Sequence, residues 1–140
     1  MIKIILADTT FLIDTLRKKD DVKQFLIKNL SEILYTTEIN VFEIYLGLYA
    51  NKSLEKKPSL LKSRKIHLEE LLSKFQILPF ERRAAMESAK ILGSLIRKGK
   101  KIEFRDGLIA GIAISNGIKK ILTKNTDHFS RIKNIDSISY

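Results

Sequence analysis

This sequence predicts an α/β fold, three layers deep, with a mostly parallel central sheet flanked by helices, and three observations carry that reading. Short apolar runs rich in β-branched residues alternate with segments of helical spacing. The first of these runs is apolar at nearly every position, as in a strand buried on both faces, instead of alternating as on a half-exposed sheet. The 140 residues are 44% hydrophobic and 30% charged, which suits one domain with a real core and excludes wholesale disorder.

The elements follow in order. Ile2, Ile4, Ile5, Leu6 and Ala7 make a strand that stops at Asp8. Thr9 and Thr10 offer helix-starting hydroxyls before Phe11, Leu12 and Leu16, and Arg17-Lys18-Lys19 suit a helix C-terminus. Asp20 or Asp21 caps a second helix carrying Val22, Phe25, Leu26 and Leu30. Ile33-Leu34-Tyr35-Thr36-Thr37 is the second strand, and Thr37, Glu38 and Asn40 start a helix running through Ile39, Val41, Phe42, Ile44, Leu46, Leu48 and Tyr49. That helix is apolar nearly all round, which places it in the interior or between the core and a partner.

Residues 51–65 turn basic, with Lys52, Lys56, Lys57, Lys62, Arg64 and Lys65 against a single Glu55, and are expected to form an insertion or mobile lid. Pro58 can start a helix there, its apolar face given by Leu68, Leu71, Leu72 and Phe75. Gln76-Ile77-Leu78-Pro79-Phe80 reads as a short strand. Ala85, Ala89, Leu92 and Ile96 then mark a helical stripe that Gly99 stops. Asp106 opens a further apolar helix that Gly117 ends, a strand lies within 118–123, a loop with a short helix covers 124–131, and Ser137-Ile138-Ser139-Tyr140 forms a last strand. Ligands in such folds collect beyond the carboxyl ends of the strands, which brings Asp8 and residues 123–127 to one edge.

Composition narrows the chemistry. With no Cys, disulfides, zinc ribbons, thiol redox chemistry and cysteine proteases are excluded. The longest uncharged stretch, 107–118, falls well short of the ~20 residues of a spanning helix, and the first apolar run is too short for a secretory signal. A cytoplasmic location with no membrane is the expectation. Lys plus Arg number 26 against 16 Asp plus Glu, a net charge of +10 that suits a polyanionic partner or simply solubility.

Three acids do not fit a solvated face. Asp8 follows a buried strand, Glu43 interrupts Val41-Phe42-Glu43-Ile44-Tyr45-Leu46, and Asp106 sits at the mouth of an apolar helix. A turn, an ion pair or a helix cap would account for each alone. Together they form a hard-oxygen set that selects Mg²⁺ or Mn²⁺ over zinc.

The ordered runs Ile5-Leu6-Ala7-Asp8-Thr9-Thr10, the Glu43 helix, Arg105-Asp106-Gly107-Leu108-Ile109-Ala110, and Ile121-Leu122-Thr123-Lys124-Asn125-Thr126-Asp127-His128-Phe129 resemble the PIN-domain ribonucleases, specifically VapC-type toxins. The resemblance implies catalytic positions at Asp8, Glu43, Asp106 and Asn125. Asp8 and Asp106 become the direct ligands of Mg²⁺, for which Mn²⁺ can substitute, with Glu43 and Asp127 as further candidates. The family pattern of Thr, any residue, then Asp or Asn falls on Asn125, while Asp127 lies two residues later. Thr9, Thr123 and Arg105 are the implied substrate contacts. The resemblance also implies an RNA substrate such as tRNA, a cognate antitoxin and a homodimer. The alternative is a weak or inactive PIN-fold RNA-binding or interaction module. A haloacid-dehalogenase phosphatase expects a second Asp where Thr10 stands, and a two-histidine nuclease would have to unite His67 with His128.

Overall fold

A computed structural model describes residues 4–29 and 32–140. Ile2 and Leu30, assigned above to the first strand and second helix, lie outside the described residues. The elements are β1 (Ile4–Ala7), α1 (Thr9–Leu16), α2 (Asp20–Lys28), β2 (Ile33–Thr37), α3 (Glu38–Tyr49), a 3-10 turn (Lys52–Leu54), α4 (Pro58–Leu72), β3 (Gln76–Leu78), α5 (Arg82–Arg97), α6 (Phe104–Ser115), β4 (Lys120–Leu122), α7 (Thr126–Ser130) and β5 (Asp136–Ile138). The strands form one parallel sheet in the order β3-β2-β1-β4-β5. No helix among the described residues is long and apolar enough to cross a membrane.

β1 is central and feeds both faces. Ile5 and Ala7 pack with Phe11, Leu12, Ile44, Leu68 and Leu71 on the α1–α4 side. Leu6 points the other way, into Leu95, Ile109, Ala113 and Phe129. This two-sided burial is why the run carries no polar alternation.

Local chemistry fixes the boundaries. The Thr37 hydroxyl accepts from the backbone N–H of Ile39 and Asn40, and the Asn40 side chain accepts from the Thr37 N–H, a reciprocal capping box that starts α3 where β2 ends. Gly99 and Gly117 end α5 and α6 at φ near 69° and 70°, values that favour glycine.

Several expectations shift. Lys19, not an aspartate, precedes α2, and Asp20 and Asp21 occupy its first turn, where acids also suit the helix dipole. α6 begins at Phe104, so Asp106 is a first-turn residue and not the residue that opens the helix. Residues 51–65 are mostly exposed apart from the buried Leu54, and from Pro58 they form the first half of α4, whose later residues Leu68, Leu71 and Leu72 join the core. α3 is apolar all round but not interior all round, since Phe42, Leu46 and Tyr49 are exposed.

The buried stripe of α5 runs through Ala84, Ser88 and Leu95, while Ile96, expected inside, is 60% exposed. The cause is close approach of α6. A Cβ added at Gly111 would stand 2.7 Å from the Ser88 N and 2.8 Å from the Ala84 O, and one at Gly107 would stand 2.6 Å from Leu92 Cγ. Small residues on both helices select the contact face, and apolar periodicity along α5 does not report it.

Candidate active site

The strand order reverses at β1. The chain runs outward from it to β2 and β3, then returns to lay β4 and β5 on the other side, so the crevice beyond β1 and β4 is a topological switch point. Asp8 stands at the end of β1, its N–H donating to the Leu122 carbonyl at 3.0 Å. Thr123, the residue after β4, donates its hydroxyl to Asp8 Oδ2 at 2.7 Å, and Asn40 Nδ2 donates to Asp8 Oδ1 at 3.1 Å. All three residues are buried and both donors are neutral. Burial pushes the Asp8 carboxyl up to about 6, against the bonds from Thr123, the Thr9 backbone and Asn40, and the Asp106 charge adds to the rise.

α6 delivers Asp106 to the same crevice. Its Oδ2 accepts from Asn125 Nδ2 at 2.9 Å and lies 2.7 Å from His128 Nδ1. That distance requires a proton between the two atoms, and an ionised Asp106 requires it on Nδ1. Burial raises the Asp106 carboxyl, opposed by the His128 bond. Asp106 and Asp8 are 5% and 4% exposed, and among the described residues no Lys or Arg lies within ion-pair distance of either.

Glu43 sits half-buried at the rim. Thr9 donates its hydroxyl to Glu43 Oε1 at 3.0 Å while accepting from Asn40 Nδ2 at 3.0 Å. Arg105 Nε lies 3.8 Å from Glu43 Oε2 and 3.5 Å from Glu103 Oε1. Burial is the largest influence raising the Glu43 carboxyl, with the charges of Asp8 and Asp106 adding to it and Arg105 opposing them.

The structure therefore brings Asp8, Thr9, Glu43, Asp106, Thr123 and Asn125 into one connected group, with Arg105 at its edge. Two expected roles change. Thr123 is fully buried and its hydroxyl is spent on Asp8, so it positions the carboxylate and has no face for substrate. Asp127 is exposed on α7, and no hydrogen bond or ion pair among the described residues links its carboxylate to the group. Asn125 occupies the place beside Asp106, and its neutral amide does what a carboxylate there cannot, which is to donate.

Sequence reasoning gave Asn40 no place in the site and named His128 only for a two-histidine nuclease. Asn40 appears in the sequence only as a helix-start residue, and its second task of holding both Asp8 and Thr9 is set by the packing of α3 on α1. His128 reads as a surface histidine until α7 folds back on Asp106. His67 lies apart on α4, lining a cavity of about 650 Å³ with Ile13, Arg17, Glu43, Leu48 and Arg64.

A sequence profile described as the PIN domain matches residues 5–135. The chain belongs to the PIN-domain family. This PIN domain is 28% identical over 135 residues to the tRNA(fMet)-specific endonuclease VapC of Salmonella typhimurium, covering 96% of each chain. Among solved structures it is similar to FitAcB of Neisseria gonorrhoeae, with a TM-score of 0.80, 27% identity and 96% of both chains covered. DNA-bound VapBC of Salmonella typhimurium gives a TM-score of 0.77 at 26% identity, covering 99% of this chain and 98% of that one.

A divalent cation fits the donor set of this PIN domain. Among the described residues no three His, Cys, Asp or Glu side chains are gathered closely enough to cage an ion. Mg²⁺ does not ask for such a cage, because it is ordinarily held by one or two carboxylates and keeps several waters. Two buried carboxylates held by Asn, Thr and His side chains supply that arrangement, and burial raises the pKa of both.

Proposed function

We propose that this protein is a divalent-metal-dependent endoribonuclease, the toxin of a toxin–antitoxin pair, with tRNA as its substrate class. The observation that carries the reading is the pairing of Asp8 with Asp106, two buried carboxylates at a sheet switch point with no Lys or Arg within ion-pair distance among the described residues. The similarity to a tRNA-specific VapC and to toxin–antitoxin complexes supports it.

Asp8 and Asp106 would hold the ion, with Mg²⁺ preferred and Mn²⁺ able to replace it. When bound, such an ion acidifies water and neutralises charge on a scissile phosphate. The chain's own residues do the rest. Thr123 and Asn40 keep Asp8 aimed into the crevice, and Asn125 and His128 take up Oδ2 of Asp106, which leaves Oδ1 without a hydrogen-bond partner among the described residues. Glu43, anchored by Thr9, stands where it can accept a proton from water or extend the metal shell, and Arg105 is the cation available to a phosphate oxygen. The exposed stripe Phe42, Leu46 and Tyr49 suits a homodimer face, and the cavity leading away from Glu43 between α1, α3 and α4 suits the tail of an antitoxin.

The test is cleavage of total cellular RNA by wild-type and Asp106→Asn protein side by side, with Mg²⁺, Mn²⁺ or EDTA. Discrete fragments from wild type alone, abolished by EDTA, are expected. Activity that survives EDTA, or equal activity in both proteins, would overturn the reading.

A further inference from the structure

Outside the carboxylate site, one ion cluster is built around Lys124. Its ammonium pairs with Asp21 Oδ2, lies 3.5 Å from Asp14 Oδ2 and stands 4.8 Å over the ring of Tyr140. Tyr140 in turn donates its hydroxyl to Asp14 Oδ2 at 2.8 Å and packs edge-on against buried Phe11 at 5.1 Å. The Lys124 backbone N–H donates to Thr10 Oγ1 at 3.1 Å. Lys124 is thus tied at both its backbone and its side chain, to α1, α2 and the chain's last described residue.

Its place in the chain gives the cluster meaning. Lys124 is the single residue between Thr123, which holds Asp8, and Asn125, which holds Asp106. A shift of this residue moves both donors at once, so whatever fixes Lys124 fixes the spacing of the two carboxylates. Asp14 and Asp21 both engage the Lys124 ammonium, so its charge is already paired within the cluster, which argues against a phosphate contact. We propose that Lys124, locked by Asp14, Asp21 and Tyr140, is a positioning residue that sets the separation of Asp8 and Asp106 through the segment Thr123-Lys124-Asn125.

The activity arm of the test depends on the nuclease reading, so two further readouts are independent of cleavage. Lys124→Met, Lys124→Arg and Tyr140→Phe are compared by kcat and KM on an RNA substrate, by Mn²⁺ titration, and by hydrogen exchange at the amides of residues 124 and 125. Lys124→Met is expected to lower kcat and weaken Mn²⁺ binding about tenfold each, the usual scale for residues that support metal ligands. KM and Tm should hold while exchange at both amides speeds up. Tyr140→Phe, which keeps the ring and loses only the hydroxyl, should show the same pattern more weakly, and Lys124→Arg should restore most of kcat. Unchanged exchange and unchanged Mn²⁺ affinity in Lys124→Met would overturn the proposal. So would a raised KM with a shallower salt dependence at constant kcat, which would make Lys124 an RNA contact. Should wild type cleave no RNA, the nuclease reading falls, and exchange with Mn²⁺ binding still decides the role of Lys124.

Discussion

Asp8 and Asp106 face one crevice but are held in different ways. Asp8 extends from the central strand, and each of its oxygens has its own buried donor. Asp106 projects from the first turn of a helix, and one oxygen takes both of its contacts, from a residue following β4 and from α7. The first carboxylate is set by the sheet itself, whereas the second is set by how the segment after β4 folds over it. Both depend on that segment, because Thr123 and Asn125 serve opposite sides of the site.

Thr123→Val breaks both sides together and carries the largest expected effect. It strips a donor from a buried carboxylate and an acceptor from the Asn125 N–H, which lies 2.9 Å from the Thr123 hydroxyl. A loss of about 4 kcal/mol in stability, with loss of cleavage, is expected from urea melts and RNA assays.

Asp8→Asn separates charge from shape, since an amide keeps the Asn40 bond and the Thr123 hydroxyl can turn to accept. With the carboxyl raised to about 6 from 3.8, the native state binds more protons than the unfolded chain between those values, so metal-free wild type loses stability as pH rises through that window. The loss amounts to about 3 kcal/mol, complete above pH 6. The variant escapes it, and should be more stable than wild type at pH 7.5 in EDTA while the difference vanishes near pH 4. Melts at the two pH values check this, and a difference independent of pH would show that burial does not govern Asp8.

Asn125→Asp touches only the Asp106 side. It exchanges a donor for a like charge, so metal-free stability should fall by about 1 kcal/mol at neutral pH and recover when Mn²⁺ is added. The counterpart on the Asp8 side is Asn40, whose amide also donates to Thr9 and whose side chain caps α3, so only at Asn125 does the exchange leave the start of a long helix untouched.

Much of this was legible in the residues. Asp8 at the end of an all-apolar run, Glu43 within an apolar helix and Asp106 ahead of another each stood out because a carboxylate in such surroundings needs a reason. The parallel sheet followed from the same runs. What could not be read was orientation across space. The face of α5 is chosen by the nearness of Gly107 and Gly111, which leaves Ile96 outside despite its helical spacing. His128 and Asn40 acquire their tasks from partners 22 and 32 residues away. Spacing from Thr123 pointed to Asn125 and left Asp127 as a further candidate, and it is the turn into α7 that presents Asn125 to Asp106.

The bond between Thr123 and Asp8 spans 115 residues of chain. During synthesis Asp8 leaves the ribosome long before its partner exists, and the first carboxylate waits, without its neighbour, until β4 inserts beside β1. Non-local pairing of this kind comes late in folding, because the loop entropy must be met before the contact forms. An interrupted or truncated chain therefore carries the acids of the crevice without their arrangement, and whatever cutting power the protein has arrives only with the finished fold.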